Sequence, residues 1–337
     1  MQVILAGSGE ELARNLFELS QDETQREGIL AADGHLALIT LLHAGPDSNT
    51  TKHAVRALVN LSCLEKAKVP IVQTGAAASI VALLRTAPTV SNEVLLKNAA
   101  NLVANLSHTS AGLNAFEKAG AIVPLVSLLG ASPTVANAAV NALWNLSWDP
   151  ETKKATNRAE ILEAGAIPPL VALLHGATAY NAAGALCNLA AYAAGTAIIR
   201  SAGGIMPLVA LLHAAEAETA EHAAAALDNM SILDEQSRPA ILATLAARPP
   251  PPPPHDDRPK LVKLLTILRP TATERLTAAE AGDDAAALQQ AIDQAAAVGV
   301  ADAELQRART KLTAMREAVE AARRERRTSL GLDELKT

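Results

Sequence analysis

Aromatic residues are nearly missing from this chain, with two Trp, two Tyr and two Phe among 337 residues. A core built on rings is therefore excluded, and packing falls to Ala, Leu, Val and Ile in a composition that is half apolar, which suits helices better than strands. Cysteine is equally scarce. Cys63 and Cys187 stand far apart and outside any CxxC or Cys/His cluster, so the sequence points to neither a disulfide framework nor a zinc site. No run reaches the roughly 18 apolar residues of a membrane span, and the start at Met1-Gln2-Val3-Ile4 lacks the charged first region of a signal peptide. The expected setting is cytoplasmic, with the nucleus as the alternative, and without direct membrane insertion. A net charge of −6 makes the surface mildly acidic, and no nucleic-acid partner is expected.

Catalytic constellations are also lacking. His43, His175 and His213 each follow a Leu-Leu pair, but the equivalent points elsewhere hold Arg85 and Gly130. A position that accepts His, Arg and Gly suits the end of a helix, not a general base or a metal ligand. The stretch Val3 to Gly9 starts like a dinucleotide fingerprint, yet its third glycine is missing and no alternation of strand and helix follows. No enzyme activity, no cofactor and no metal are expected.

What the chain does have is a repeat. Five segments open on Gly34, Gly75, Gly120, Gly165 and Gly203, at spacings of 41, 45, 45 and 38 residues. A second motif follows each: Ala57-Leu58-Val59-Asn60-Leu61-Ser62, Leu102-Val103-Ala104-Asn105-Leu106-Ser107, Ala142-Leu143-Trp144-Asn145-Leu146-Ser147, Ala185-Leu186-Cys187-Asn188-Leu189-Ala190 and Ala226-Leu227-Asp228-Asn229-Met230-Ser231. Its asparagines lie 45, 40, 43 and 41 residues apart. A period near 40 means that each unit buries its core only against its neighbours. Apolar residues recur at helical spacing, as in Ile122, Leu125, Val126, Leu128 and Leu129. The glycines allow a sharp turn between a short first helix and a second, while Pro124, Pro169 and Pro207 sit in the opening turn of that second helix, where a missing N–H is harmless. A long third helix then carries the Asn.

The pair Gly-Ala-Ile-Pro-Pro-Leu-Val-Ala-Leu-Leu and Ala-Leu-x-Asn-Leu-Ser resembles the armadillo repeat of catenin-like, vacuolar-tether-like and plant U-box-associated proteins, over about residues 1 to 270. The resemblance implies an all-α, right-handed armadillo superhelix of three-helix units, whose third helices line a concave groove. Residues 10 to 20 read as a lone third helix with Glu18 at the Asn position, so the array opens mid-repeat, as an N-terminal cap or as part of a longer protein. Five full repeats follow. A degenerate last unit starts at Pro239, is interrupted by the proline run 249–254, and is completed by Leu261 to Leu268 with Ile267 at the Asn position. The run reads as an exposed loop, either a tolerated insertion or a docking point for a profilin- or SH3-like domain. Residues 271–337 form a second region, a C-terminal helical hairpin and basic tail. Leu288, Ile292 and Ala295 mark one helix, Val298-Gly299-Val300 the turn, and Leu305, Leu312, Met315 and Val319 the other helix, with Arg323 to Ser329 expected to fray. The hairpin either self-associates or packs on the last repeat.

A side-chain amide offers both a donor and an acceptor and can grip the backbone of an extended peptide whatever its sequence. The candidate groove residues are accordingly Asn60, Asn105, Asn145, Asn188 and Asn229. The alternative is that these amides bond only to neighbouring helices. One turn earlier on the same face lie Arg56, Asn101, Asn141, Gly184 and Ala225. Importin-alpha proteins place Trp there to sandwich lysines, and none of these five is Trp, which argues against nuclear-import-signal recognition. Two turns before the Asn stand Lys52, Lys97, Asn137, Tyr180 and Glu221, a gradient from basic to weakly acidic that suits an acidic stretch at the basic end. The reading is thus a scaffold or adaptor holding a peptide of a partner protein. The alternatives are an import receptor or the substrate-recruiting part of a ubiquitin ligase.

Overall fold

A computed structural model describes residues 8–148, 156–249 and 259–329. Every regular element among them is helical. The expected stretch Val3 to Gly7, the proline run from 250 onward and the last eight residues lie outside the described residues. The chain divides into two compact units, Met1–Leu189 and Ala190–Thr337.

The first unit opens with α1 (Gly9–Ser20), the lone third helix, started by a capping box between Ser8 and Glu11. Four triplets follow: α2 (Glu23–Ala31), α3 (Gly34–Leu41) and α4 (Asn49–Ser62); α5 (Glu65–Gln73), α6 (Ala76–Leu84) and α7 (Glu93–Leu106); α8 (Ser110–Ala119), α9 (Ile122–Ser127) and α10 (Pro133–Ser147); α11 (Thr156–Glu163), α12 (Ile167–Ala172) and α13 (Ala179–Ala190). Third helices pack side by side, α1 on α4, α4 on α7 and α7 on α10. Their buried faces are mainly aliphatic, with Leu58, Leu61, Leu102, Leu106 and Leu146 fully buried, and also take in a few hydroxyls such as Thr51 and Ser62.

The turn glycines behave as their spacing implies at four sites, Gly75, Gly120, Gly165 and Gly203 all having positive φ. The first repeat differs. Asp33 takes the left-handed conformation there, with φ 55°, and Gly34 instead opens α3, because a Cβ on Gly34 would overlap Ile29. The correct register of the turn is therefore Asp33, Gly75, Gly120, Gly165 and Gly203.

The second unit contains α14 (Ala193–Ser201), α15 (Ile205–Leu211) and α16 (Ala217–Leu233), then α17 (Ser237–Ala247), α18 (Pro259–Ala281), α19 (Ala285–Ala297) and α20 (Asp302–Ser329). The expected division at residue 270 falls inside α18, which runs through Pro270. Buried Leu264, Leu268, Ala272 and Leu276 continue the same stripe at four-residue spacing across the proline, and that stripe outweighs one missing backbone bond. The hairpin is present, turning at Gly299 with φ 70°, and α19 packs on α17 and α18. Two expectations fail at its far end. Arg323 to Ser329 is helical, and Val319 is 51% exposed because α20 outruns its partner helix, with every residue from Arg316 to Arg326 exposed.

Close helix contact makes one glycine indispensable. A Cβ on Gly112 in α8 would overlap the Leu106 carbonyl oxygen at the end of α7, whereas one on Gly130 would meet nothing within 4 Å. Gly112→Ala is expected to destabilise the protein by about 2–3 kcal/mol, and Gly130→Ala to change it by less than about 0.5 kcal/mol. Chemical denaturation of both variants checks the contrast.

Candidate functional site

The candidate amides sit on the third helices, each half-buried and one or two residues from a fully packed leucine. Their orientation comes from the repeat before. Asn60 Nδ2 donates to Ser20 Oγ at 2.9 Å, Asn105 Nδ2 to Ser62 Oγ at 2.9 Å, and Asn188 Nδ2 to Ser147 Oγ at 2.9 Å and to the Trp144 carbonyl at 3.4 Å. Each of these serines is buried and donates in turn to the carbonyl three residues earlier: Ser20 to Phe17, Ser62 to Val59 and Ser147 to Trp144. The result is a relay from amide to hydroxyl to backbone, in which each bond polarises the next.

Asn145 breaks the pattern. Its Nδ2 donates to the Ala104 carbonyl at 3.0 Å and approaches His108 Nε2 at 3.4 Å, and the buried Ser107 Oγ has no hydrogen-bond partner among the described residues. Desolvation of the His108 ring, reinforced by the Lys68 ammonium, lowers its pKa. The ring is therefore neutral near pH 7, and its Nε2 can accept from the amide.

In all four amides the Oδ1 accepts no hydrogen bond from described residues. Asn101 and Asn141, one turn earlier, are half-buried, and their side chains form no hydrogen bond with described residues. The fifth candidate, Asn229, lies on α16 of the second unit, half-buried and engaged in an interaction of its own. Glu18, on α1, is exposed and holds the place of the Asn in this first helix, two residues before Ser20, which accepts from Asn60 as Ser62 accepts from Asn105.

Two aromatic contacts complete the face, and the sequence motif contained their signal. Phe17 and Trp144 both occupy the position just before the Asn column. Arg56 lies over the Phe17 ring, 3.9 Å from its centroid, and its guanidinium makes no hydrogen bond or ion pair with described residues. Phe17, Gln21, Arg56, Val59, Asn60 and Asn98 line a shallow cavity of about 220 Å³. In the later repeat Trp144 reaches across to Gly184, where a Cβ would come within 2.5 Å of the indole, and meets Tyr180 edge-on at 5.3 Å. Gly184 is therefore small because the previous repeat's Trp occupies its space.

A second set of contacts ties the other ends of these helices. Glu10 accepts from Asn49, and Glu93 accepts from Ser132 and Thr134 at 2.7 Å each, which lowers the Glu93 pKa.

Among the described residues no three His, Cys, Asp or Glu groups are placed to hold a metal ion, and no single helix is long and apolar enough to cross a membrane. The molecule is an all-helical, solenoid-like repeat protein with an armadillo-like fold. The solved structures it is similar to include designed armadillo repeat proteins. One is 28% identical, with a TM-score of 0.59, covering 68% of this chain and 97% of that one. A second, described as computationally designed for modular peptide recognition, is 29% identical with a TM-score of 0.58 over the same shares. A third, solved in complex with the peptide (KR)4, is 28% identical with a TM-score of 0.56 over the same shares. No family model and no curated protein matches the chain.

The relay predicts opposite effects for two serines in one motif position. Ser62→Ala removes the acceptor of Asn105 and is expected to destabilise by about 1 kcal/mol. Ser107→Ala deletes a hydroxyl that has no partner and is expected to be neutral or stabilising. Thermal melting of the two variants tests this, and equal losses would show that the serines act only by size.

Proposed function

We propose that the chain is a non-catalytic scaffold that holds an extended segment of a partner protein along the face carrying Asn60, Asn105, Asn145 and Asn188 in the first unit. The observation that carries this reading is the division of each amide. At Asn60 and Asn105 one N–H is spent on the preceding repeat and orients the side chain, at Asn145 and Asn188 the Nδ2 meets two acceptors there, and in all four the Oδ1 is unused by described residues on a half-exposed face. A carboxamide held in this way presents an acceptor, and at Asn60 and Asn105 its remaining N–H as a donor, to a peptide backbone without a further entropic cost of ordering. Similarity to designed armadillo proteins, one of them built for modular peptide recognition, supports the same class of ligand.

Charge narrows the partner. One of those designs holds a peptide of alternating Lys and Arg, but here the face begins with Arg56, whose stacking on Phe17 leaves its fork open, beside Lys52 and Lys97. An acidic residue at this end of the partner segment fits. Within armadillo proteins the chain is proposed to be catenin-like or vacuolar-tether-like and not importin-alpha-like, since Arg56, Asn101, Asn141, Gly184 and Ala225 include no Trp.

Selection from a displayed peptide library tests this. The intact chain should enrich extended segments bearing Asp or Glu at one end. Asn105→Ala combined with Asn145→Ala and Asn188→Ala should weaken the selected peptide by about 3 kcal/mol, roughly a hundredfold, at unchanged helical content. Arg56→Glu should abolish the preference for acid. Undiminished binding by the triple variant would make the asparagines purely structural.

A further inference from the structure

The hollow at the start of the proposed peptide face has a chemistry that the row of asparagines does not account for. Phe17, Gln21, Arg56, Val59, Asn60 and Asn98 line its 220 Å³ or so. Phe17 is the platform, with the Arg56 guanidinium 3.9 Å from its ring centroid and the His53 ring at 5.7 Å. Stacking covers one face of a guanidinium and uses none of its five N–H donors, which lie in the plane. Arg56 is exposed and forms no hydrogen bond or ion pair with described residues, and Glu18, beside Phe17, does not pair with it. The side-chain amides of Gln21, which caps the end of α1, and of Asn98 on α7 form no hydrogen bond with described residues either, and Asn60 Nδ2 has one N–H to spare. All four groups are within reach of solvent, Gln21 and Arg56 exposed, Asn60 and Asn98 half-buried. Lys52 lies one turn before Arg56 on α4, and Lys97 lies next to Asn98.

Uncommitted donors from α1, α4 and α7 thus surround one open hollow. A carboxylate is satisfied by the arginine fork alone and would leave the Gln21 and Asn98 amides idle. A phosphate monoester carries three acceptor oxygens that point in different directions and up to two negative charges, so it can take the fork and the amides together in the field of Lys52 and Lys97. We propose that the hollow receives a phosphorylated serine or threonine of the partner segment, with the Arg56 fork on two phosphate oxygens and the Asn98 and Gln21 amides on the third. The inference rests on the reading of this face as peptide-binding and adds a regulation to it: the partner is held tightly only once it is phosphorylated.

The test uses the full ¹⁵N-labelled chain, titrated separately with N-acetyl-phosphoserine N-methylamide, with the corresponding aspartate compound and with inorganic phosphate. The phosphoserine compound should shift the Arg56 Nε–H and Asn98 Nδ2 signals with a dissociation constant of about a millimolar, as befits so small a ligand, and should bind roughly tenfold more tightly than the aspartate compound. Arg56→Lys, which keeps the charge and removes the fork, should weaken the phosphoserine compound about tenfold. Asn98→Ala should weaken it about threefold and leave the aspartate compound unchanged. The variant with alanine at Asn105, Asn145 and Asn188 leaves the hollow intact and should bind the phosphoserine compound as the parent does, so failure of the asparagine row and failure of this pocket appear in different variants. Absence of shifts at Arg56 and Asn98, or undiminished binding by Arg56→Lys, would overturn the proposal. Equal binding of the aspartate compound would overturn the phosphate assignment, and inorganic phosphate bound as tightly as the phosphoserine compound would replace the phosphorylated residue with a free anion.

Discussion

In the first unit, each third helix must lie in one register against the third helix before it, and the rest of the unit depends on that alignment. Three-helix units of this size cannot bury their apolar faces alone, so a slip between neighbours would expose leucines such as Leu58 and Leu102 in two repeats at once. Aliphatic packing by itself is tolerant of small displacements. A hydrogen bond from a side-chain amide to a buried hydroxyl is less so, because it weakens as the two groups move apart or out of line and its loss leaves a buried group unpaired. The pairs Asn60 with Ser20, Asn105 with Ser62 and Asn188 with Ser147 supply that definition at one end of the helices, and the carboxylates of Glu10 and Glu93 supply it at the other.

From the same constraint follows the character of the exposed face. The residue just before each Asn lies where consecutive third helices meet, so a large side chain there reaches under the next repeat. Phe17 carries Arg56 in this way, and Trp144 takes the space above Gly184. The two readings of the asparagines, as structural ties and as a peptide-gripping row, are therefore compatible in chemistry. An amide has two N–H groups and an oxygen, and the tie to the preceding repeat leaves the oxygen unused, with one N–H also spare at Asn60 and Asn105.

Most of the fold was legible because two motifs kept a common irregular period, which left little freedom in where helices begin and end. The asparagine column was legible for the same reason. Other features depend on distances that no single repeat encodes. Serine recurred in the motif, yet its role emerges only when Asn105 is seen beside Ser62, 43 residues earlier. Asp33 could not be told from Gly34 as the left-handed residue without knowing that Ile29 crowds the glycine. Pro270 reads as a stop in local terms and is overridden by an apolar stripe that continues beyond it. Val319 fits the hairpin pattern and is exposed only because α20 outlasts the helix it packs on.

The most direct measurement of the divided amide is the temperature dependence of the two Nδ2 proton shifts of Asn60, Asn105 and Asn188 in the ¹⁵N-labelled chain. One proton of each pair, bonded to a buried serine, should show a shallow coefficient, and the other, at Asn60 and Asn105, a steep coefficient typical of a solvent-bonded proton. Steep coefficients for both protons at all three residues would contradict the account, since the asparagines would then neither set the register nor be pre-oriented to hold a partner.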